Sequence, residues 1–172
     1  ATGAVSVIAG GGSNLASGAC STISGGCGNT ASGAFSKVGG GIGHSVSTNW
    51  STISGGYVNT ISNSYSSFIG GGENNSVIAS HSAVLSGVSN SASGNYSGVL
   101  GGVSNSSNGT YAAVIGGTAN SANSTSSVIS GGQNGTTRSI TGNFVTPASS
   151  NPITSASGRS QLATLLLGRQ TT

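Results

Sequence analysis

Apolar residues recur along this chain in short alternating runs, each closed at both ends by Gly or Asn. The stretch Ser21–Phe35 (STISGGCGNTASGAF) returns as Ser51–Tyr65 (STISGGYVNTISNSY) and as Ser82–Tyr96 (SAVLSGVSNSASGNY). Aligned on the Gly-Gly pair, coils begin at Ser6, Ser21, Ser36, Ser51, Ser66, Ser82, Ser97, Ala112 and Ser127, spaced by 15 residues except for 16 between Ser66 and Ser82. A short fixed period marks a stack of repeats, and alternation between turn residues marks strands. Two such strands per coil predict an all-β chain. Its expected form is a parallel β-solenoid, a flattened two-sheet β-roll of about nine coils with a non-repetitive C-terminal tail.

The period assigns each position a direction. Position three, with Ile8, Ile23, Val38, Ile53, Phe68, Val84, Val99, Val114 and Ile129, is read as inward. Position eleven, with Ala16, Ala31, Val46, Ile61, Ala92, Ser107, Ala122 and Thr137, faces it from the opposite wall. Gly at position six supplies a corner that β-branched residues cannot make. Position nine is an Asn column of Asn14, Asn29, Asn59, Asn74, Asn90, Asn105 and Asn120, with His44 in the third coil. Asn suits a left-handed corner that bonds local backbone, and stacked copies can form a ladder. The extra residue of the fifth coil is placed as a bulge near Asn74-Asn75, keeping Val77 inward.

The outer positions separate into different surfaces. Position fifteen carries Cys20, Phe35, Trp50, Tyr65, His81, Tyr96 and Tyr111, a column expected to stack along one edge at the strand spacing of about 4.8 Å. Position four becomes apolar at Ile69, Leu85, Leu100 and Ile115. An apolar row of that kind asks for a cover. Residues 1–141 form the repeat domain; the tail 142–172, with Pro147, Pro152 and the apolar run Gln161–Leu167, is expected to cap the end and lie over the row. The rival cover is another copy of the chain.

Composition narrows the function. With 32 Gly, 3% charged and 5% aromatic residues among 172, the chain departs from ordinary globular usage. Its net charge of +3 comes from scattered Lys37, Arg138, Arg159 and Arg169 against Glu73, so no basic stripe for nucleic acid is present. No stretch is long enough to span a bilayer. Cys20 and Cys27 either pair in an oxidising compartment or fill space as small apolar groups. The missing initiating Met predicts a processed or trimmed chain. A single acid leaves no carboxylate pair, no Asp exists for a Ser-His-Asp triad, and neither His44 nor His81 has a metal-ligand set around it. No enzyme activity, cofactor or metal is expected.

Two family resemblances follow from these residues. Asn29-Thr-Ala-Ser-Gly33 and Ser21-Thr-Ile-Ser-Gly-Gly26 resemble the Asn-x-Val-x-Gly alternation of grass antifreeze proteins and other ice-binding β-solenoids. That likeness implies a secreted, monomeric β-roll with one flat ice-binding face. Ser97-Gly-Val-Leu-Gly-Gly102 and Ala112-Ala-Val-Ile-Gly-Gly117 are similar to the Ser-x-Ala-Ile-Gly motif of YadA-like trimeric adhesin heads and related phage fibres. There the equivalent of position four faces the axis of a homotrimer. Ser24, Ser54 and Ser130 interrupt that column here, and no heptad stalk follows.

The ice reading is preferred, with the adhesin head or fibre segment as its alternative. The candidate ice-binding face is formed by positions ten and twelve: Thr30 and Ser32, Ser45 and Ser47, Thr60 and Ser62, Ser91 and Ser93, Ser106 and Asn108, Ser121 and Asn123. Stacked about 4.8 Å apart, these short, uncharged side chains make a two-column grid. Water ordered over such a grid can match an ice plane.

Overall fold

The computed structural model describes residues 1–147 and the backbone pairing of the strand Gln161–Thr164. Each of the first eight coils gives one two-residue strand to each of two sheets, as Thr22–Ile23 and Thr30–Ala31 do in the second coil, and the ninth gives a strand to the first sheet and a single bridge at Thr136 to the second. The first sheet has 11 strands, running from Val7–Ile8 to Val128–Ile129 and then to Phe144–Pro147 and Gln161–Thr164. The second has eight, from Leu15–Ala16 to Ser121–Ala122. Every pair is parallel except the last, where Gln161–Thr164 runs antiparallel to Phe144–Pro147. This is the expected parallel β-solenoid.

Within each two-residue strand the first side chain points out and the second points in, the two-residue period of a pleated strand. Ile23, Val38, Ile53, Ile69, Val84, Val99, Val114 and Ile129 from the first sheet meet Ala31, Val46, Ile61, Val77, Ala92, Ser107 and Ala122 from the second and Thr137 just beyond its last strand, all 0% exposed. The opposing residues are small at Ala31, Ala92, Ser107 and Ala122 and β-branched at the others, none larger than Ile, so the sheets close on a thin core. Val145 extends the core by one further rung. Position one, not read as inward, is also buried: Ser21, Ser36, Ser51, Ser67, Ser82, Ser97 and Ser127 lie inside the corner. Several of these hydroxyls donate to corner carbonyls, as Ser36 does to Gly33 O at 2.6 Å.

The fifth coil corrects the sequence alignment. Thr52 pairs with Phe68 and Ile53 with Ile69, so Ile69 is buried while Phe68, expected inward, stands exposed. The sixteenth residue lies in the corner after Ser62, where Asn63 and Ser66 take φ of 50° and 54°, and not at Asn74-Asn75. The coil therefore starts at Ser67, and Asn75 rather than Asn74 joins the Asn column, its N–H donating to Asn59 Oδ1 at 2.8 Å. The cause is local: Gly70-Gly71-Gly72 offers two Gly pairs, and alignment on the first advances the coil by one residue. Val77 is inward in either frame.

The Asn column is also built differently from expectation. Its members do not take the left-handed corner; they point inward and bond the next coil. Asn29 donates through Nδ2 to Gly25 O at 3.1 Å and to Gly41 O of the next coil at 2.9 Å, while its Oδ1 accepts the N–H of His44 at 3.0 Å. The same set recurs at Asn59, Asn75, Asn90, Asn105 and Asn120. Positive φ falls instead on the residue before the Asn, such as Val58 and Ser89, on the position-six glycines, and on position fifteen. At Gly87 φ is 98°, and a Cβ there would stand 2.2 Å from Gly102 O. Any side chain is barred by both conformation and the coil above.

The expectation that the tail covers the apolar row rests on residues outside those described, apart from the pairing of Gln161–Thr164 at the end of the first sheet.

Candidate functional site

All twelve residues of the candidate face lie on the outer surface of the eight-strand sheet. Thr30, Ser45, Thr60, Ser91, Ser106 and Ser121 are the outward first residues of their strands. Ser32, Ser47, Ser62, Ser93, Asn108 and Asn123 follow two residues later on the same face, with a buried residue between. The corrected register adds Ser76, which pairs with Thr60 on one side and Ser91 on the other. One column thus reads Thr30, Ser45, Thr60, Ser76, Ser91, Ser106, Ser121, and a bridge from Ser121 continues it to Thr136. From Thr30 onward it is hydroxyl-bearing at every rung; the first rung, paired with Thr30, is the exposed Leu15.

The second column is less regular. Ile78 takes the rung between Ser62 and Ser93 and is exposed. Ser93 donates to Asn108 Oδ1 at 2.7 Å, and Ser106 donates to the same oxygen. Asn123 turns to the last coil, where its Oδ1 accepts from Thr137 Oγ1 at 2.8 Å and from the N–H of Ser139 at 3.0 Å. Ser76 and Ile78 escape the sequence because the Gly triplet hides the frame; anchoring the coil on Asn75 would have found both.

The first sheet presents a different outer surface. Leu85, Leu100 and Ile115 stand side by side on successive rungs, each nearly half exposed. Ile69, expected in this row, is in the core, and Gly70 occupies its rung. Beside the three bulky residues, two positions earlier on the same strands, lie Ala83, Gly98 and Ala113. The surface is a ridge next to a shallow groove.

Two narrow edges join the sheets. On one, single residues bridge coil to coil through Cys27, Ile42, Tyr57, Glu73, Val88, Val103 and Thr118. On the other, Phe35, Trp50, Tyr65, His81, Tyr96 and Tyr111 form a ladder with centroids 5.6, 4.7, 6.1, 5.0 and 5.1 Å apart, stacked except at Tyr65, which is tilted by 49° on Trp50 and meets His81 edge-on. All but Tyr65 take φ between 53° and 58°. Left-handed backbone costs a bulky residue about 1–2 kcal/mol, and each ring contact returns about 0.5–1.5 kcal/mol. The ladder therefore offsets much of the strain of its own corner. Cys20 sits at the foot of this edge and Cys27 on the opposite one; both are free and exposed, so the disulfide alternative falls.

No protein-family model and no curated protein matches the chain, and its functional reading rests on these surfaces.

Proposed function

We propose that the chain adsorbs to ice through the outer face of its eight-strand sheet. The observation that carries the reading is the unbroken column of seven hydroxyls from Thr30 to Ser121, held in register by parallel pairing. Strand spacing fixes one repeat of the grid at about 4.8 Å, and no charged residue interrupts the face before Arg138. Short hydroxyls on a rigid sheet hold water at fixed intervals, and a charge-free surface does not pull that water into a competing hydration shell. Ile78 and the bonds that occupy Ser93, Ser106 and Asn108 reduce the second column, so the expected activity is moderate.

The test is thermal hysteresis together with the shape of ice crystals grown in the purified chain. A freezing gap with faceted crystals is expected, and Thr60→Tyr, which puts a bulky ring in the middle of the column, is expected to remove most of the gap while leaving the fold intact. Round crystals and no gap overturn the reading.

One observation favours a second reading, a trimeric adhesin head or fibre segment that attaches to a surface. The ridge of Leu85, Leu100 and Ile115 beside the groove of Ala83, Gly98 and Ala113 is an apolar strip of the kind that copies of a chain bury against one another. Solution mass distinguishes the readings: a monomer fits the ice-binding roll, a trimer the fibre.

A further inference from the structure

The aromatic edge takes no part in either surface just described. Among the described residues, no hydrogen bond occupies Trp50 Nε1 or the hydroxyls of Tyr65, Tyr96 and Tyr111. The rings are nonetheless fixed. Each is held against its neighbours at 4.7–6.1 Å, and the corner N–H of every ring residue but Tyr65 is tied to the coil below, as Trp50 N–H is to Ala34 O at 3.0 Å and Tyr96 N–H to Ser80 O at 3.0 Å; in the Tyr65 corner Ser66 N–H makes the bond instead, to Asn49 O at 3.2 Å. Stacking accounts for the ring faces. It does not call for tyrosine over phenylalanine, or for a file of polar tips spaced about one rung apart along the axis.

We propose that this edge binds a neutral, extended, β-1,4-linked polysaccharide lying parallel to the solenoid axis. Such a glycan repeats its pyranose units at nearly the interval of the ladder, so successive sugars meet successive rungs. Tyrosine hydroxyls and the indole N–H exchange hydrogen bonds with sugar hydroxyls, and ring edges lie against the sugar C–H groups. At the upper end the column passes from Tyr111 to Ser126, which has no ring. The outer face of Tyr111, 59% exposed, is thus free for one sugar to stack on it. Lys37 lies on the outer face of the 11-strand sheet and Glu73 on the opposite edge, so neither sets a charge beside the row from Phe35 to Tyr111, which favours a neutral polymer over a charged one. A rigid row loses little freedom on binding. The inference is independent of the ice reading, because it uses an edge and leaves Thr60 and its face untouched.

Retention of the intact chain on insoluble cellulose and chitin tests it, with amylose as the α-linked, coiled control. Trp50, the one tryptophan of the chain, gives a second readout through its fluorescence on addition of soluble β-1,4-linked oligosaccharides. The expected result is retention on at least one β-1,4-linked polymer, a change in Trp50 emission, and little retention on amylose. The double variant Tyr96→Phe/Tyr111→Phe keeps the rings and removes two hydroxyls, and is expected to bind about tenfold more weakly with an unchanged unfolding midpoint. Three results overturn the proposal: no retention and no change in emission, equal retention on amylose, or undiminished binding by the double phenylalanine variant.

Discussion

His44 stands in place of Asn within the column and changes the chemistry of the ladder. Its Nδ1 accepts the N–H of Asn59 at 3.0 Å, so the proton of the neutral ring sits on Nε2. That atom has no aligned partner, although the Gly56 carbonyl lies beside it. Burial of the ring pushes its pKa below the ordinary value of 6.5, against the smaller upward pull of the Gly56 and Asn59 backbone. Below that ordinary value the unfolded chain takes up a proton that the folded chain refuses. Stability should therefore be full above pH 6.5 and fall as pH drops towards the depressed folded value. Unfolding midpoints measured between pH 8 and pH 5 check this. His44→Asn is expected to flatten the acid limb and, by supplying an Nδ2 donor for the Gly40 and Gly56 carbonyls in the way Asn29 serves Gly25 and Gly41, to add about 1 kcal/mol. An equal acid loss in the variant would place the sensitivity elsewhere.

The coil is the next unit, and the fifth shows what a coil tolerates. Its extra residue is absorbed in the corner between Ser62 and Ser67, while both strand pairs on either side keep their facing, Ile53 to Ile69 and Ile61 to Val77. Removing Ser66 should return that corner to the form of Gly33–Ser36 in the second coil. The variant is expected to fold with a midpoint within a few degrees of the parent, a change of about 1 kcal/mol or less. Removing Asn74 should cost far more, because it shifts Asn75 out of the ladder and turns the pair Ser76–Val77 by one residue. Thermal unfolding of the two deletions separates the frames. Much of this element was legible in the sequence, since a period of 15 with alternation leaves few choices for Ile23 or Ala31. The rest was hidden for physical reasons. A Gly triplet carries no side chain to mark its frame, a buried Ser such as Ser51 reads as a surface residue, and a tyrosine at positive φ contradicts local preference. Only the next coil's carbonyls and rings explain why it stays there. The missing rungs of the candidate site, Ser76 and Ile78, were lost to the first of these.

For the whole molecule, the forces that stack the coils are short in range. The core rungs, the Asn ladder and the backbone bonds repeat along the axis and join only neighbouring coils, so stability sums over adjacent contacts. Long-range charge interactions have little to act on: 172 residues carry four Lys or Arg and one Glu. Lys37 lies on the outer face of the 11-strand sheet and Glu73 on the narrow edge that bridges the sheets, both exposed. Charges that far into solvent are screened within about 10 Å at 0.1 M salt, and exposed pairs contribute about 1 kcal/mol or less. The unfolding midpoint should therefore move by less than about 2 °C when sodium chloride rises from about 0.02 M to about 0.5 M. Calorimetry at about pH 8, where His44 is uncharged in both states, gives the cleanest measurement. A large fall in the midpoint with salt would mean that attraction among these few charges holds the stack together, and a large rise that their repulsion limits it. Either outcome would show that charge, rather than the Asn ladder and the apolar core, governs the stability of the stack.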